Sequence, residues 1–233
     1  MTKINLDNRL SSMADLVRQG AVFADIGTDH GYLPVFLLLS GRISRAVLTD
    51  VNEGPLSSAE ETVKEYGLSD RVTLILADGL HGIDNEGVTD VAVCGMGGDL
   101  IARIISEAPF LKAEGMRLIL QPMTRQATVR KALYSLGFEI VAERYSYCTG
   151  KYYVGIAAEY CGAQKELSPS EAELGVLGFL PEDREAYIGY MKGKLRSYER
   201  AIDGRRLAGE DSEELLILCK SAKSLIEDAL TKK

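Results

Sequence analysis

The chain has 233 residues, a formal net charge of -7, and 46% hydrophobic and 26% charged residues, which excludes disorder as its dominant state and suits one large and one small globular domain. Its acidity repels polyanions, so a nucleic acid would have to meet a local basic surface, and net charge alone favours a small-molecule substrate. Cys94, Cys148, Cys161 and Cys219 form no C-x-x-C pair and have only His30 and His81 as imidazole company, arguing against a zinc site or a disulfide framework.

The N-terminal residues lack the pattern of a secretory signal, and no apolar run approaches bilayer length. The expectation is a cytoplasmic protein with no metal, no membrane association and no obligate protein partner.

In chain order, Leu6, Leu10, Met13 and Leu16 or Val17 recur at helical spacing, predicting an amphipathic helix over 6–18. Short apolar runs at 21–26, 45–50, 72–77, 91–94 and 117–121 read as strands. Few of them alternate strictly with polar residues, as expected for strands buried on both faces. The segments between, 31–40, 55–66, 98–108 and 124–136, are long enough for crossover helices, with Pro55 suited to a first helical position and Gly67 and Gly137 to helix ends.

Runs at 138–147 and 152–160, joined by Cys148-Thr-Gly-Lys151, predict a hairpin. The fold class is therefore α/β, a Rossmann-like, doubly wound, seven-stranded sheet whose last pair is partly antiparallel. That strand count is the pattern of methyltransferase sheets rather than of plain dinucleotide-binding ones.

Composition shifts near 161–165, predicting a boundary between a catalytic domain at 1–162 and a helical domain at 163–233. Ser168-Pro-Ser-Glu171 has the form of a capped helix start. Two apolar stripes follow, Tyr187, Met191, Leu195, Tyr198, Ile202 and then Leu215, Leu218, Ala222, Leu225, Ala229, separated by a turn containing Gly204 and Gly209. They predict a coiled-coil-like helical hairpin, with the tyrosines in its seam rather than stacking on bases.

The segment carrying most chemistry is Asp25-Ile-Gly-Thr-Asp-His-Gly-Tyr-Leu-Pro34. A strand runs through Gly27 and Gly31 into a helix, which lets backbone turn sharply beside a ligand. The dinucleotide fingerprint would place glycines at relative positions one, three and six, but counting from Gly27 those positions hold Gly27, Asp29 and Tyr32. Asp29 and Asp25 on this rim suit a cationic ligand, such as the sulfonium and ammonium groups of S-adenosylmethionine.

Asp50 ends the next strand, where a carboxylate can accept both ribose hydroxyls, and Asp78 ends the third, in reach of an adenine amino group. Three acids at three successive strand ends point to one adenosine ligand. The fourth strand is followed by Gly95-Met-Gly-Gly98, a bare loop that permits close backbone approach to a ligand or equally makes a tight turn. Cys94 beside it is either a packed core thiol or pocket-lining, and the second is expected.

On Asp25 to Pro34, Gly95 to Gly98, Gln121-Pro-Met123 and the helical tail, the chain resembles the bacterial tRNA (adenine-22-N1)-methyltransferases over essentially its whole length. The resemblance implies methyl transfer from S-adenosylmethionine to N1 of an adenine in tRNA, without a metal. It also implies cofactor binding by Asp25, Gly27, Asp29, Gly31, Asp50, Asp78 and Gly95.

Adenine N1 carries a free lone pair, so positioning should dominate. A carboxylate beside the cationic product, Asp29 before Asp99, would stabilise charge. His30 either orients the base or is structural, and Gln121 either bonds the base edge or braces a loop. Lys192, Lys194, Arg196, Arg200, Arg205 and Arg206 make one segment locally basic, either for tRNA phosphate or as a solvated face. The competing functions are a small-molecule methyltransferase and a non-catalytic S-adenosylmethionine-sensing module.

Overall fold

The computed structural model describes residues 4–84 and 86–231. Seven strands, β1 (Ala21–Ile26), β2 (Ile43–Asp50), β3 (Val72–Leu76), β4 (Asp90–Gly97), β5 (Arg117–Thr124), β6 (Phe138–Cys148) and β7 (Lys151–Tyr160), form one sheet in the order β3-β2-β1-β4-β5-β7-β6. The first five are parallel, and β7 is antiparallel to both β5 and β6. The helices are α1 (Asn8–Leu16), α2 (Tyr32–Leu39), α3 (Glu53–Glu65), α4 (Gly98–Ser106), α5 (Gln126–Leu136), α6 (Pro169–Leu174), α7 (Arg184–Ala208) and α8 (Glu213–Thr231).

The inner strands β1, β2, β4 and β5 have two buried faces, which explains their unbroken apolar runs. Phe23, Leu48, Ala92, Ile119 and Ala157 point into the core under α1, α2 and α3. Their neighbours Ala24, Val47, Val91, Leu118 and Ile156 point into the core shared with α4 to α8. Successive strands cross over in opposite directions from β1, outward to β2 and β3 and back to β4 and β5, so a crevice opens at the carboxyl ends of β1 and β4.

Several boundaries differ from the sequence reading, each for a local reason. Gly95 adopts φ +78 and bulges out of β4, so pairing with β5 resumes at Met96 and the strand runs on to Gly97. Pro55 is the third residue of α3, still within the first turn where no helical partner for its nitrogen is needed. Thr149 and Gly150, at φ +45 and +83, form a two-residue turn of the mirror-image kind that hairpin twist favours, which lengthens β6 and β7. Gly204 lies inside α7, and Gly209 at φ +70 ends it.

The tail packs as its stripes require: Tyr187, Met191, Tyr198, Leu218, Ala222 and Ala229 are buried in the α7 and α8 contact and against the sheet. Ser168 and Glu171 form a capping box on α6. Polar anchors then fix the tail to β6. The fully buried Arg130 donates through Nε to Glu143 Oε1 at 2.8 Å and through Nη1 to the Ala172 carbonyl at 2.9 Å.

Glu143 Oε2 accepts from the Val176 and Leu177 amides at 3.1 and 3.2 Å. Gly175 is demanded there, because a Cβ would stand 2.7 Å from that oxygen and its φ is +111. Arg144 Nε donates to Asp183 Oδ2 at 2.7 Å, and the Tyr145 amide donates to the same oxygen at 3.0 Å.

Candidate active site

The crevice holds a cavity of about 670 Å³, within the range of small-molecule sites. Its floor is the turn after β1, where Gly27, Asp29 and Gly31 have φ of +70, +49 and +68. Aspartate is among the few side chains that tolerate this region. The Gly27 and Thr28 amides donate to the Thr49 carbonyl at 2.8 and 3.0 Å, tying the turn to the end of β2.

Asp25, Gly27, Asp29, His30, Asp50, Asp78, Cys94 and Gly95 all line the cavity. Gly31 lies just outside, as the left-handed N-cap of α2, with room for a Cβ only 3.3 Å from Ala59. Asp25 is 6% exposed and accepts from the Thr28 hydroxyl at 2.8 Å. Burial pushes its carboxyl up to about 6, the Thr28 hydrogen bond opposes this, and Asp50 adds to the rise.

Asp50 is also buried and accepts from the Asn52 amide at 2.9 Å. Asp78 is exposed and meets Arg103 at 3.2 Å. Cys94 lines the pocket as expected; burial and the Asp25 charge push its thiol well up, so it is not a reactive thiolate.

At the mouth, the Asp29 carboxylate is exposed and lies 3.7 Å from His30 Nε2. The His30 ring stacks on half-exposed Tyr32 with centroids 5.2 Å apart and planes at 18°. This leaves a carboxylate and a stacked aromatic pair together on the rim.

Two catalytic candidates stand elsewhere. Asp99 does not line the cavity; its carboxylate pairs with Arg125 at 2.9 Å in solvent. Gln121 is fully buried beneath the cavity, and its Oε1 accepts from Arg9 Nη1 at 2.9 Å and from the Gly95 amide at 3.1 Å. It therefore braces the β4 bulge instead of presenting its amide to a base. Gly98, too, serves packing, since a Cβ there would lie 2.4 Å from the Arg125 carbonyl oxygen.

The sequence reading missed Asp7 and Arg9, which line the cavity from the start of α1, and Met123, which lines it from the end of β5. Nothing local marks Arg9: its partner Gln121 is 112 residues away.

Of the basic residues on α7, Lys192, Arg196, Arg200, Arg205 and Arg206 are exposed. Lys194 is not free, being held to Glu173 at 2.9 Å with its side chain 18% exposed. Arg205 Nη1 donates to the Asp211 carbonyl at 3.1 Å, across the turn into α8.

Residues 6–156 match the methyltransferase domain family. A curated Bacillus subtilis relative, tRNA (adenine(22)-N(1))-methyltransferase, is 34% identical over 159 residues, covering 68% of this chain and 67% of that one. The chain belongs to the tRNA (adenine-22-N1)-methyltransferase family.

Two solved structures extend the likeness across the tail. A Streptococcus pneumoniae protein in complex with S-adenosyl-L-methionine is 33% identical with a TM-score of 0.81, covering 95% of this chain and 100% of that one. The B. subtilis M1A22 tRNA methyltransferase is 26% identical with a TM-score of 0.76, covering 98% and 100%. The seven-stranded Rossmann-like sheet expected from the strand pattern is thus the fold of this family. Among the described residues, no helix is long and apolar enough to cross a membrane, and no group of three His, Cys, Asp or Glu side chains is placed to hold a metal.

Proposed function

We propose that this chain methylates N1 of adenine 22 in tRNA, using S-adenosylmethionine. The observation that carries this reading is the acid-lined cavity at the switch point of a methyltransferase sheet, in a chain of this family. The donor set fits the cofactor: of the acids lining the cavity, Asp50 at the end of β2 would accept from ribose hydroxyls, Asp78 from the adenine amino group, and buried Asp25 would meet the ammonium. S-adenosylmethionine supplies, when bound, an electrophilic methyl group on a sulfonium.

The chain's own work is then to position. The His30 and Tyr32 stack offers a face for an extruded base at the mouth of the cavity. The Asp29 carboxylate beside it stabilises the positive charge that N1 methylation leaves on the adenine, or accepts a proton from its amino group. Asp99 and Gln121 have other partners, so Asp29 and His30 carry the catalytic assignment.

Phosphate binding falls to the exposed Lys192, Arg196, Arg200, Arg205 and Arg206 of α7, a local basic surface on an acidic chain. Residues 1–162 thus form the catalytic part and 163–233 the tRNA-contacting part, acting in the cytoplasm where tRNA is found.

Labelled S-adenosylmethionine and unmodified bacterial tRNA test the reading: the expected result is 1-methyladenine at position 22, mapped by nucleoside analysis and a reverse-transcription stop. No incorporation into intact tRNA, with cofactor binding demonstrated, would move the assignment to a small-molecule methyltransferase or a sensing module. Charge reversal at Arg196 and Arg200 should weaken tRNA binding and flatten its salt dependence, by roughly 0.7–0.9 in slope for each phosphate no longer neutralised. An unchanged slope would make α7 a solvated face.

A further inference from the structure

A second cavity, of about 330 Å³, lies between the end of β5, the turn of the β6–β7 hairpin and α7, at the lower end of the size of ligand sites. Met123 lines both this groove and the active-site cavity, so the two spaces share a wall. Their charges differ. Five aspartates line the active-site cavity, whereas the groove is lined by Lys151 and Lys194 and by no acid. The cavities beside Glu107, Glu166 and Glu171 all carry carboxylates.

An aromatic face stands over the groove. Tyr152 lines it with 39% of its surface exposed, and its ring lies 4.9 Å from that of Tyr147, 49% exposed, at 47°. The Tyr152 ring is seated on Gly189 of α7, where a Cβ would stand 2.2 Å from its Cζ. On the other side, the Asn8 side chain donates to the Tyr147 carbonyl at 3.2 Å, and its neighbours Asp7 and Arg9 line the active-site cavity. The hairpin tip is therefore held between the cavity and the groove.

Gly193, one turn after Gly189, also lines the groove. Glycine inside a helix is unfavourable relative to alanine, and packing against Tyr152 accounts for it at Gly189. No such account serves Gly193, which is half-buried yet has nothing within 4 Å of where its Cβ would stand. Gly204 is likewise open, but it is exposed near the end of the helix. A side chain at Gly193 would project into the groove instead. From there the same face of α7 leads on to exposed Arg196 and Arg200.

An adenine brought to the acid-lined cavity carries a phosphate on each side, and the aspartates repel both. We propose that the groove is a second nucleotide subsite, taking the RNA nucleotide next to the target adenine, with its base stacked on Tyr152 and its phosphate against Lys151. This deepens the tRNA reading above and rests on it. Lys194 is closed by Glu173 at 2.9 Å, while Lys151 is exposed and forms no ion pair with a described residue. Stacking on an aromatic ring accepts any base, since every base has a π-face.

The test begins with Gly193→Leu, which fills the groove from a position without close neighbours and introduces a better helix former, so thermal stability should hold or rise. Saturated with S-adenosylhomocysteine, the variant should bind unmodified bacterial tRNA roughly 10–100-fold more weakly than wild-type protein. Its affinity for S-adenosylhomocysteine by calorimetry should not change. Two further transcripts, abasic at position 21 or at position 23, locate the stacked base. One of them should lose roughly 10–100-fold in kcat/KM with wild-type protein. Tyr152→Leu, which keeps an apolar side chain over Gly189, should remove most of that loss. Lys151→Ala should flatten the salt dependence of tRNA binding by roughly 0.7–0.9 in slope, one phosphate's worth.

A folded Gly193→Leu protein with wild-type tRNA affinity overturns the proposal. So does a wild-type protein indifferent to both abasic sites, or a Tyr152→Leu protein that keeps the full abasic loss. An unchanged salt slope in Lys151→Ala removes the phosphate contact whatever the fate of the groove variant. Wild-type protein that binds S-adenosylhomocysteine but neither binds nor methylates tRNA overturns the tRNA reading itself, a distinguishable result.

Discussion

Glu143 and Asp25 are both buried carboxylates on strands of one sheet, and their surroundings are opposite. Glu143 meets the Arg130 guanidinium and two backbone amides, so its charge is settled within the chain. Asp25 has the Thr28 hydroxyl for a partner, Asp50 nearby, and no ion pair among the described residues. The first arrangement joins the tail to the sheet. The second leaves a buried carboxyl without a counter-charge, at a cost in stability, as the proposed role in binding a ligand cation requires. Burial of an acid says little by itself; whether the chain provides the counter-charge separates a structural carboxylate from one held for binding.

The largest expected effect is at the settled pair. Arg130→Ala or Glu143→Ala should lower unfolding free energy by about 3–5 kcal/mol in urea titrations, because each strands a buried charge. Replacing both with apolar residues of similar volume should recover most of that stability. A single substitution costing under about 1 kcal/mol would erase the contrast with Asp25.

At Asp25 the sign should reverse. Asp25→Asn keeps an acceptor for Thr28, so thermal stability should hold or rise, while affinity for S-adenosylhomocysteine falls roughly 10–100-fold by calorimetry. Lower stability with retained affinity would make Asp25 another structural acid.

Smaller still is the pH effect. Because the Asp25 carboxyl is raised from 3.8 to about 6, the free protein binds more protons than the unfolded chain between those values, so this group's contribution to stability falls as pH rises across that window. A ligand ammonium selects the ionised form, so affinity should rise toward pH 6 and then level, with binding at pH 5 about tenfold weaker than the plateau. Asp25→Asn should abolish that slope; a flat wild-type profile would show that Asp25 is already ionised.

The sheet was legible because strands buried on both faces leave continuous apolar runs, and Asp25, Asp50 and Asp78 stood out because each terminates one. The end of β4 was not legible: Gly95 to Gly98 has the composition of a loop, yet one left-handed glycine lets the strand bulge and continue pairing. Gly98 suggested ligand approach, while its actual neighbour is the Arg125 carbonyl. Asp99, Gln121 and Lys194 were read by residue type, and the structure gives each a partner, Arg125, Arg9 and Glu173, that the sequence did not suggest. Those partners come from crossovers and helix packing, which local spacing does not encode.

The start of α1 also has a bearing on how the molecule is made. Arg9 reaches Gln121, and the Asn8 side chain donates to the Tyr147 carbonyl, across 112 and 139 residues of chain. Met13 of the same helix fills the space left by Gly155 on β7. During synthesis the first part of the cavity wall to emerge is therefore the last to find its seat, waiting for a hairpin made more than a hundred residues later. The acidic floor can form earlier from β1 to β3, so the cavity should close only after the hairpin is in place.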